Sequence, residues 1–190
     1  MGEEQRLGYE EMLASSRESF DAVPDFTVAV EEEFALLDPE TLGLVNRFEE
    51  LQEAVRGSEL EPHLVGELIA SEIEVRTGRC DSFADAAALL GERRQQLRAL
   101  VQPRGIALGA TGTHPWSPWQ EQRIIDTPHY RRNDEVLRYV VWRNNSFGQH
   151  VHVGINGADR AIRVCSAVRN YLPELLALSG SSPFLEDLSR

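Results

Sequence analysis

Residues 26–37, Phe-Thr-Val-Ala-Val-Glu-Glu-Glu-Phe-Ala-Leu-Leu, alternate with a period of two, which an extended strand converts into two chemically different faces. Phe26, Val28, Val30, Phe34 and Leu36 fall on one side, and Glu31 and Glu33 on the other. Glu32 points with the apolar set, and the pattern assigns it no role. Two later stretches repeat the design. In residues 69–77, Ile69, Ile73 and Val75 oppose Glu72, Glu74 and Arg76; in residues 146–155, Phe147, Val151, Val153 and Ile155 oppose His150 and His152. The simplest assembly is an α+β fold: one antiparallel sheet, helices packed on its apolar face, and a Glu/His/Arg surface on the other.

The chain's 190 residues suffice for one substantial domain with its own core. A net charge of -12 argues against a phosphate-backbone binder, because such proteins carry basic patches, so no nucleic-acid partner is expected. It does not exclude a nucleotide, since carboxylates can hold divalent cations that supply positive charge locally. Cys80 and Cys165 are the two cysteines, far apart and without a CxxC partner, and read as buried reduced thiols. The chain opens without a signal-peptide pattern and contains no apolar run near the roughly 20 residues of a membrane span, so a cytoplasmic protein with no membrane partner is expected.

Residues 1–24 read as a lead-in helix or loose arm ended by Pro24, and Asp38 to Gly43 as a tight turn before a short return at Leu44 and Val45. Helices are expected over 47–57, over 83–101 with Asp81 or Ser82 as its cap, over 130–143 with Val136, Leu137, Val140 and Val141 inward, and over 160–179 with a kink or a break at Pro173. Residues 106–112 read as a strand, and 113–119 as a rigid loop presenting His114 and two indoles. Residues 181–187 read as loop, with no closing strand.

Glutamates at alternate strand positions place oxygen donors roughly 7 Å apart on one face. Carboxylate oxygens suit hard cations such as Mg2+, which keep several waters and also bind substrate phosphates. With Glu72, Glu74 and His150 added from other strands, the face can hold one or two cations, Mg2+ or alternatively Mn2+. The spacing of His150 and His152 also fits a metal-dependent hydrolase. Of Arg76, Arg79, Arg131, Arg132 and Arg143, Arg76 alone shares the acidic face and is the candidate clamp for a carboxylate or phosphate. Neither GxxxxGK[ST] nor GxGxxG is present, so a nucleotide would be held through cations and arginines.

Four motifs in this order, Val30-Glu-Glu-Glu-Phe34, Glu72-Ile-Glu-Val-Arg-Thr-Gly78, Gly112-Thr-His-Pro115 and His150-Val-His-Val-Gly-Ile155, resemble the carboxylate-amine ligase family of glutamate-cysteine ligase type 2. The resemblance runs from about Phe26 to the C-terminus. It implies a fold similar to the catalytic domain of glutamine synthetase, whose sheet face holds Mg2+ and ATP. It also implies phosphorylation of a substrate carboxylate to an acyl phosphate, which an amine attacks to give an amide. By the same resemblance, Glu31, Glu33 and Glu74 match the carboxylates at the cations, His150 a histidine near metal and phosphates, and Arg76 a contact to substrate or phosphate. Family members continue well past Arg190. Residues 26–190 are therefore expected to be the N-terminal part of such a domain, truncated at its C-terminus, after an arm at 1–25. Expected partners are small molecules, with glutamate and cysteine suggested by the family name, and a further copy of the chain at an open sheet edge. A non-catalytic fragment that keeps the face without closing the site is the third reading.

Overall fold

The computed structural model describes residues 8–185 and 188–189. In chain order the elements are α1 (Tyr9–Asp21), β1 (Val28–Leu37), α2 (Phe48–Ala54), β2 (Leu64–Val65), β3 (Glu72–Arg76), α3 (Phe83–Val101), β4 (Ala107–Gly109), α4 (Pro128–Leu137), α5 (Tyr139–Trp142), β5 (Gln149–Val153), α6 (Ala158–Val168), α7 (Leu172–Leu178), β6 (Phe184–Leu185) and β7 (Leu188–Ser189). The class is α+β, an antiparallel sheet with helices packed against it.

β1 is the axis of the sheet. β3 runs antiparallel on one side, with Arg76 opposite Glu31 and Glu74 opposite Glu33, and β2 lies beyond β3. On the other side β5 pairs with the first half of β1, His150 opposite Glu31 and His152 opposite Ala29, and β4 pairs with its end. Directly opposed residues project to the same face of a sheet. The registers therefore gather Glu31, Glu33, Glu74, Arg76 and the histidines onto one side.

The other side builds the core. Phe34, Leu36, Ile73 and Val75 pack against Phe48 and Leu51 of α2 and against Leu97 and Val101 of α3. Each such aliphatic side chain contributes roughly 1.5–3 kcal/mol on full burial. α3 starts where Ser82 Oγ accepts the Asp85 N–H at 3.1 Å, the cap expected from sequence. Glu32, stranded on this apolar side, is explained by Arg94, whose guanidinium donates to its Oε1 at 2.7 Å and lies over the Phe34 ring. A smaller cluster of Ala35, Leu68, Ile69, Val141 and Phe147 covers the end of the sheet beyond the carboxylates.

Several expectations are corrected. β1 begins at Val28; Phe26 adopts a left-handed φ of 62° and is exposed rather than part of the apolar face. Ile69 bridges Ile124 ahead of β3, and the strand expected over 106–112 contracts to β4. The helix expected over 130–143 breaks at Arg138, whose φ of 45° and ψ of -115° turn the chain between α4 and α5. Of its four inward apolar residues, Val141 is buried and Val136, Leu137 and Val140 are exposed. The helix expected over 160–179 is interrupted by a 3-10 turn at Arg169–Tyr171, and Pro173 sits in the first turn of α7, where its missing N–H is tolerated. Because α6 buries none of its residues, Cys165 is exposed, while Cys80 is buried. Phe184–Leu185 and Leu188–Ser189 pair as a hairpin where a loop was expected. The first seven residues of the lead-in, Leu7 included, and Glu186, Asp187 and Arg190 lie outside the described residues.

The loop at 113–119 is also different in kind. His114 is buried, its Nε2 lies 2.8 Å from the Leu42 carbonyl, and its Nδ1 accepts the Ser117 N–H at 2.9 Å. It staples the loop to the turn after β1 instead of presenting a ring outward. His114→Ala removes the partner of the part-buried Leu42 carbonyl and Ser117 N–H, so a loss of about 1–2 kcal/mol in urea unfolding is expected. An unchanged midpoint would refute the staple.

Candidate functional site

Glu31, Glu74 and His150 each offer a ligand atom, and these atoms lie within 4.8 Å of one another. They come from three neighbouring strands, so the sheet registers, and not a loop, set their spacing. Arg76 Nε sits across the two carboxylates, 2.5 Å from Glu74 Oε1 and 3.3 Å from Glu31 Oε1. On the opposite flank, His152 Nε2 is 3.1 Å and His150 Nδ1 is 3.6 Å from Glu31 Oε2. The two histidines are thus divided: His150 joins the group, and His152 bonds to Glu31 from outside it.

Burial pushes the Glu31 carboxyl up, but the His152 hydrogen bond and the charges of Arg76 and the histidines outweigh it and hold Glu31 below its ordinary value. Glu74, almost wholly buried, is raised by that burial; Arg76 offsets part of the rise, and Glu31 and Glu67 add to it. Glu33 lies beside the group, with Oε1 3.9 Å from His150 Nδ1 and Oε2 accepting the Gly148 N–H. Behind it, Glu72 is 2% exposed, and burial together with Glu33, Glu67 and Glu74 pushes its carboxyl up to about 9. At neutral pH Glu72 is therefore a protonated acid held against Glu33. That proton removes one negative charge from a crowded face.

Two participants escaped sequence reasoning. Glu67 lies in the connector before β3, where no periodicity marks it, yet its charge reaches Glu72, Glu74 and Arg76. Tyr130, at the start of α4, donates its hydroxyl to the Gly66 carbonyl at 3.1 Å. Burial, Glu67, Glu72 and Glu74 push that hydroxyl up to about 12. Of the arginine candidates, Arg131 pairs with Asp126, and Arg143 lies over the Trp119 ring. An apolar cavity of about 450 Å³ between α3 and β4 includes Phe34 and so lies on the core side of the sheet, away from the carboxylates. Among the described residues no helix is long and apolar enough to cross a membrane.

Residues 27–187 match the family model described as glutamate-cysteine ligase family 2. The chain is 41% identical over 167 residues to a protein of Rubrobacter xylanophilus provisionally named glutamate–cysteine ligase 2-3, covering 88% of this chain and 46% of that protein. It is 38% identical over 174 residues to a provisionally named glutamate–cysteine ligase 2-1 of Mycobacterium sp. strain JLS, covering 90% and 45%. To a provisionally named glutamate–cysteine ligase 2 of Sorangium cellulosum it is 41% identical over 160 residues. The chain spans about half the length of the curated relatives it matches. In structure it is similar to the glutamate–cysteine ligase of Francisella tularensis solved in complex with AMP. The TM-score is 0.50 at 15% identity, covering 80% of this chain and 31% of that one, a likeness of fold.

Proposed function

The chain belongs to glutamate-cysteine ligase family 2, and we propose on that premise that its carboxylate face serves ATP-dependent formation of an amide from a carboxylate and an amine. In the proposed reaction the γ-phosphoryl group of ATP passes to a substrate carboxylate oxygen. The amine lone pair then forms the C–N bond, the bond to phosphate breaks, and nitrogen loses a proton. The observation that carries the reading is the convergence of Glu31, Glu74 and His150 within 4.8 Å. The structural relative's AMP complex agrees with a nucleotide on this fold.

Two carboxylates and an imidazole suit Mg2+, with Mn2+ as the alternative. Glu31, Glu74 and His150 would hold the ion, with Glu33 beside them. Once bound, the ion would neutralise phosphate charge where it concentrates. Arg76 is positioned to exchange Glu31 for an incoming phosphate or carboxylate, because only its Nε is committed to the pair. Relatives' names point to glutamate and cysteine as substrates, and an ATP-fuelled reaction places the protein in the cytoplasm.

In this reading residues 26–190 are the N-terminal part of a larger catalytic unit, after an arm at 1–25. The shared half-length agrees with that, as do the exposed apolar residues Ile162, Leu172, Leu176 and Leu178 of α6 and α7 and Val151 and Val153 of β5. The same open β5 edge is where a homo-oligomer would pair. Calorimetric titration of a non-hydrolysable ATP analogue, at saturating Mg2+ and again with the metal chelated, tests the function. Binding is expected only with metal. A folded chain that binds under neither condition would overturn the reading for these residues alone.

A further inference from the structure

Behind the carboxylate sheet, between α3 and β4, the apolar cavity of about 450 Å³ has no part in the reaction above. Its size falls within the roughly 300–1,000 Å³ usual for small-molecule sites. Phe34 of β1, Val101 at the end of α3, and Ile106 and Leu108 around β4 form its apolar wall. The first three are 5%, 2% and 4% exposed and belong to the core cluster, so the cavity reaches into packed core and is not a dent in the surface. Phe34 directly follows Glu33, and an occupant would rest on the back of the strand whose front carries the carboxylates.

The charge beside that wall is positive. Arg94 and Arg98, one turn apart on α3, complete the lining, which among the described residues includes no acidic side chain. Arg94 Cζ lies 5.6 Å from the centre of the Phe34 ring, which sets its guanidinium over the apolar wall. It bonds Glu32 Oε1 through Nη2 alone, leaving Nε and Nη1. Arg98 is exposed, and its side chain has no hydrogen bond or ion pair among the described residues. Nor is it needed to close the helix: Arg104 donates to the Leu100 carbonyl at 2.6 Å, and the Ile106 and Gly105 N–H groups donate to those of Val101 and Gln102. In a chain of net charge -12, one paired and one unpaired guanidinium beside an apolar cavity complement a ligand with an anionic head and an apolar body.

We infer that this cavity is a second ligand site, separate from the carboxylate face, for a medium-chain monocarboxylate. The acyl chain lies against Phe34, Val101, Ile106 and Leu108, and the carboxylate meets Arg98 and the open edge of Arg94. Apolar burial supplies affinity that grows with chain length, and the guanidiniums select the charge of the head group. The site does not rest on the ligase reading, because none of its residues belongs to the candidate cation group.

The test is calorimetric titration of the full chain with sodium octanoate, with metal chelated and nucleotide absent. Saturable binding is expected, with hexanoate, two methylenes shorter, about tenfold weaker. Octanamide, which keeps the chain and lacks the charge, should also bind about tenfold more weakly. Arg98→Gln should weaken octanoate about tenfold and leave octanamide unchanged; it strands no partner, and circular dichroism would verify the fold. Leu178→Asp, on the exposed surface of α7, separates the cavity from that apolar surface and should bind octanoate as the unaltered chain does. No saturable binding, equal affinity for hexanoate or octanamide, unaltered octanoate affinity in Arg98→Gln, or loss of binding in Leu178→Asp would overturn the inference.

Discussion

Glu74→Gln abolishes Mg2+-dependent binding of an ATP analogue while leaving the chain folded: this is the expected result, with a loss of at least about a hundredfold. Loss of a mere outer-shell partner at a metal typically costs roughly 10–100-fold, and Glu74 is placed here as a direct ligand. The amide keeps the size of the side chain and one acceptor for Arg76, so the pleat and the register with Glu33 survive. What it loses is the charge that a hard cation requires. Stability should hold or rise, because burial raises the Glu74 carboxyl and a neutral group there escapes that penalty. Glu31→Gln and His150→Ala should act in the same direction, and the half-exposed His150 should do so without any shift in melting temperature. Glu53→Gln, on the surface of α2, is the control and should bind as the unaltered chain does. Retained metal-dependent binding in all three site variants would sink the assignment of the group.

The part of this site that sequence made legible is the part built on strands. A period of two is a geometric statement, so Glu31, Glu33, Glu74, Arg76 and His150 could be put on one face before any pairing was known, and the registers then supplied their distances. Helix capping was legible for the same local reason at Ser82. Tertiary substitutions were not. Glu32 violates the alternation, and only its partner Arg94, 62 residues away in sequence, makes sense of it. Arg138 breaks a helix without a glycine or proline to announce it. His114 looked like a group on display because a histidine among prolines and indoles says nothing about the Leu42 carbonyl that captures it. Glu67 lies in a connector whose backbone path, not its residue pattern, brings it to the carboxylates.

The protonated Glu72 gives the second large expected effect, a fall in stability as pH rises from 5 to 9. Its carboxyl titrates at about 9 in the folded chain and at 4.5 in the reference state. Between those values the folded chain holds a proton that the unfolded chain has released, so unfolding is favoured as pH increases, and the effect levels off above about 9. Glu74 and Glu32, also raised, act in the same direction. His63 opposes them weakly near neutrality, since burial lowers it and the unfolded chain takes up that proton first. The displacement corresponds to roughly 6 kcal/mol at about 1.4 kcal/mol per pH unit. Water entering the open face reduces the expected loss to about 3 kcal/mol, or roughly 6–12 °C in melting temperature for a chain of this size. Glu72→Gln keeps a donor toward Glu33 and removes the titration. Its melting temperature should match that of the unaltered chain at pH 5 and exceed it at pH 9. Parallel profiles would mean that Glu72 is ionised in the folded chain. The carboxylate face would then carry one further negative charge, which a bound cation would offset.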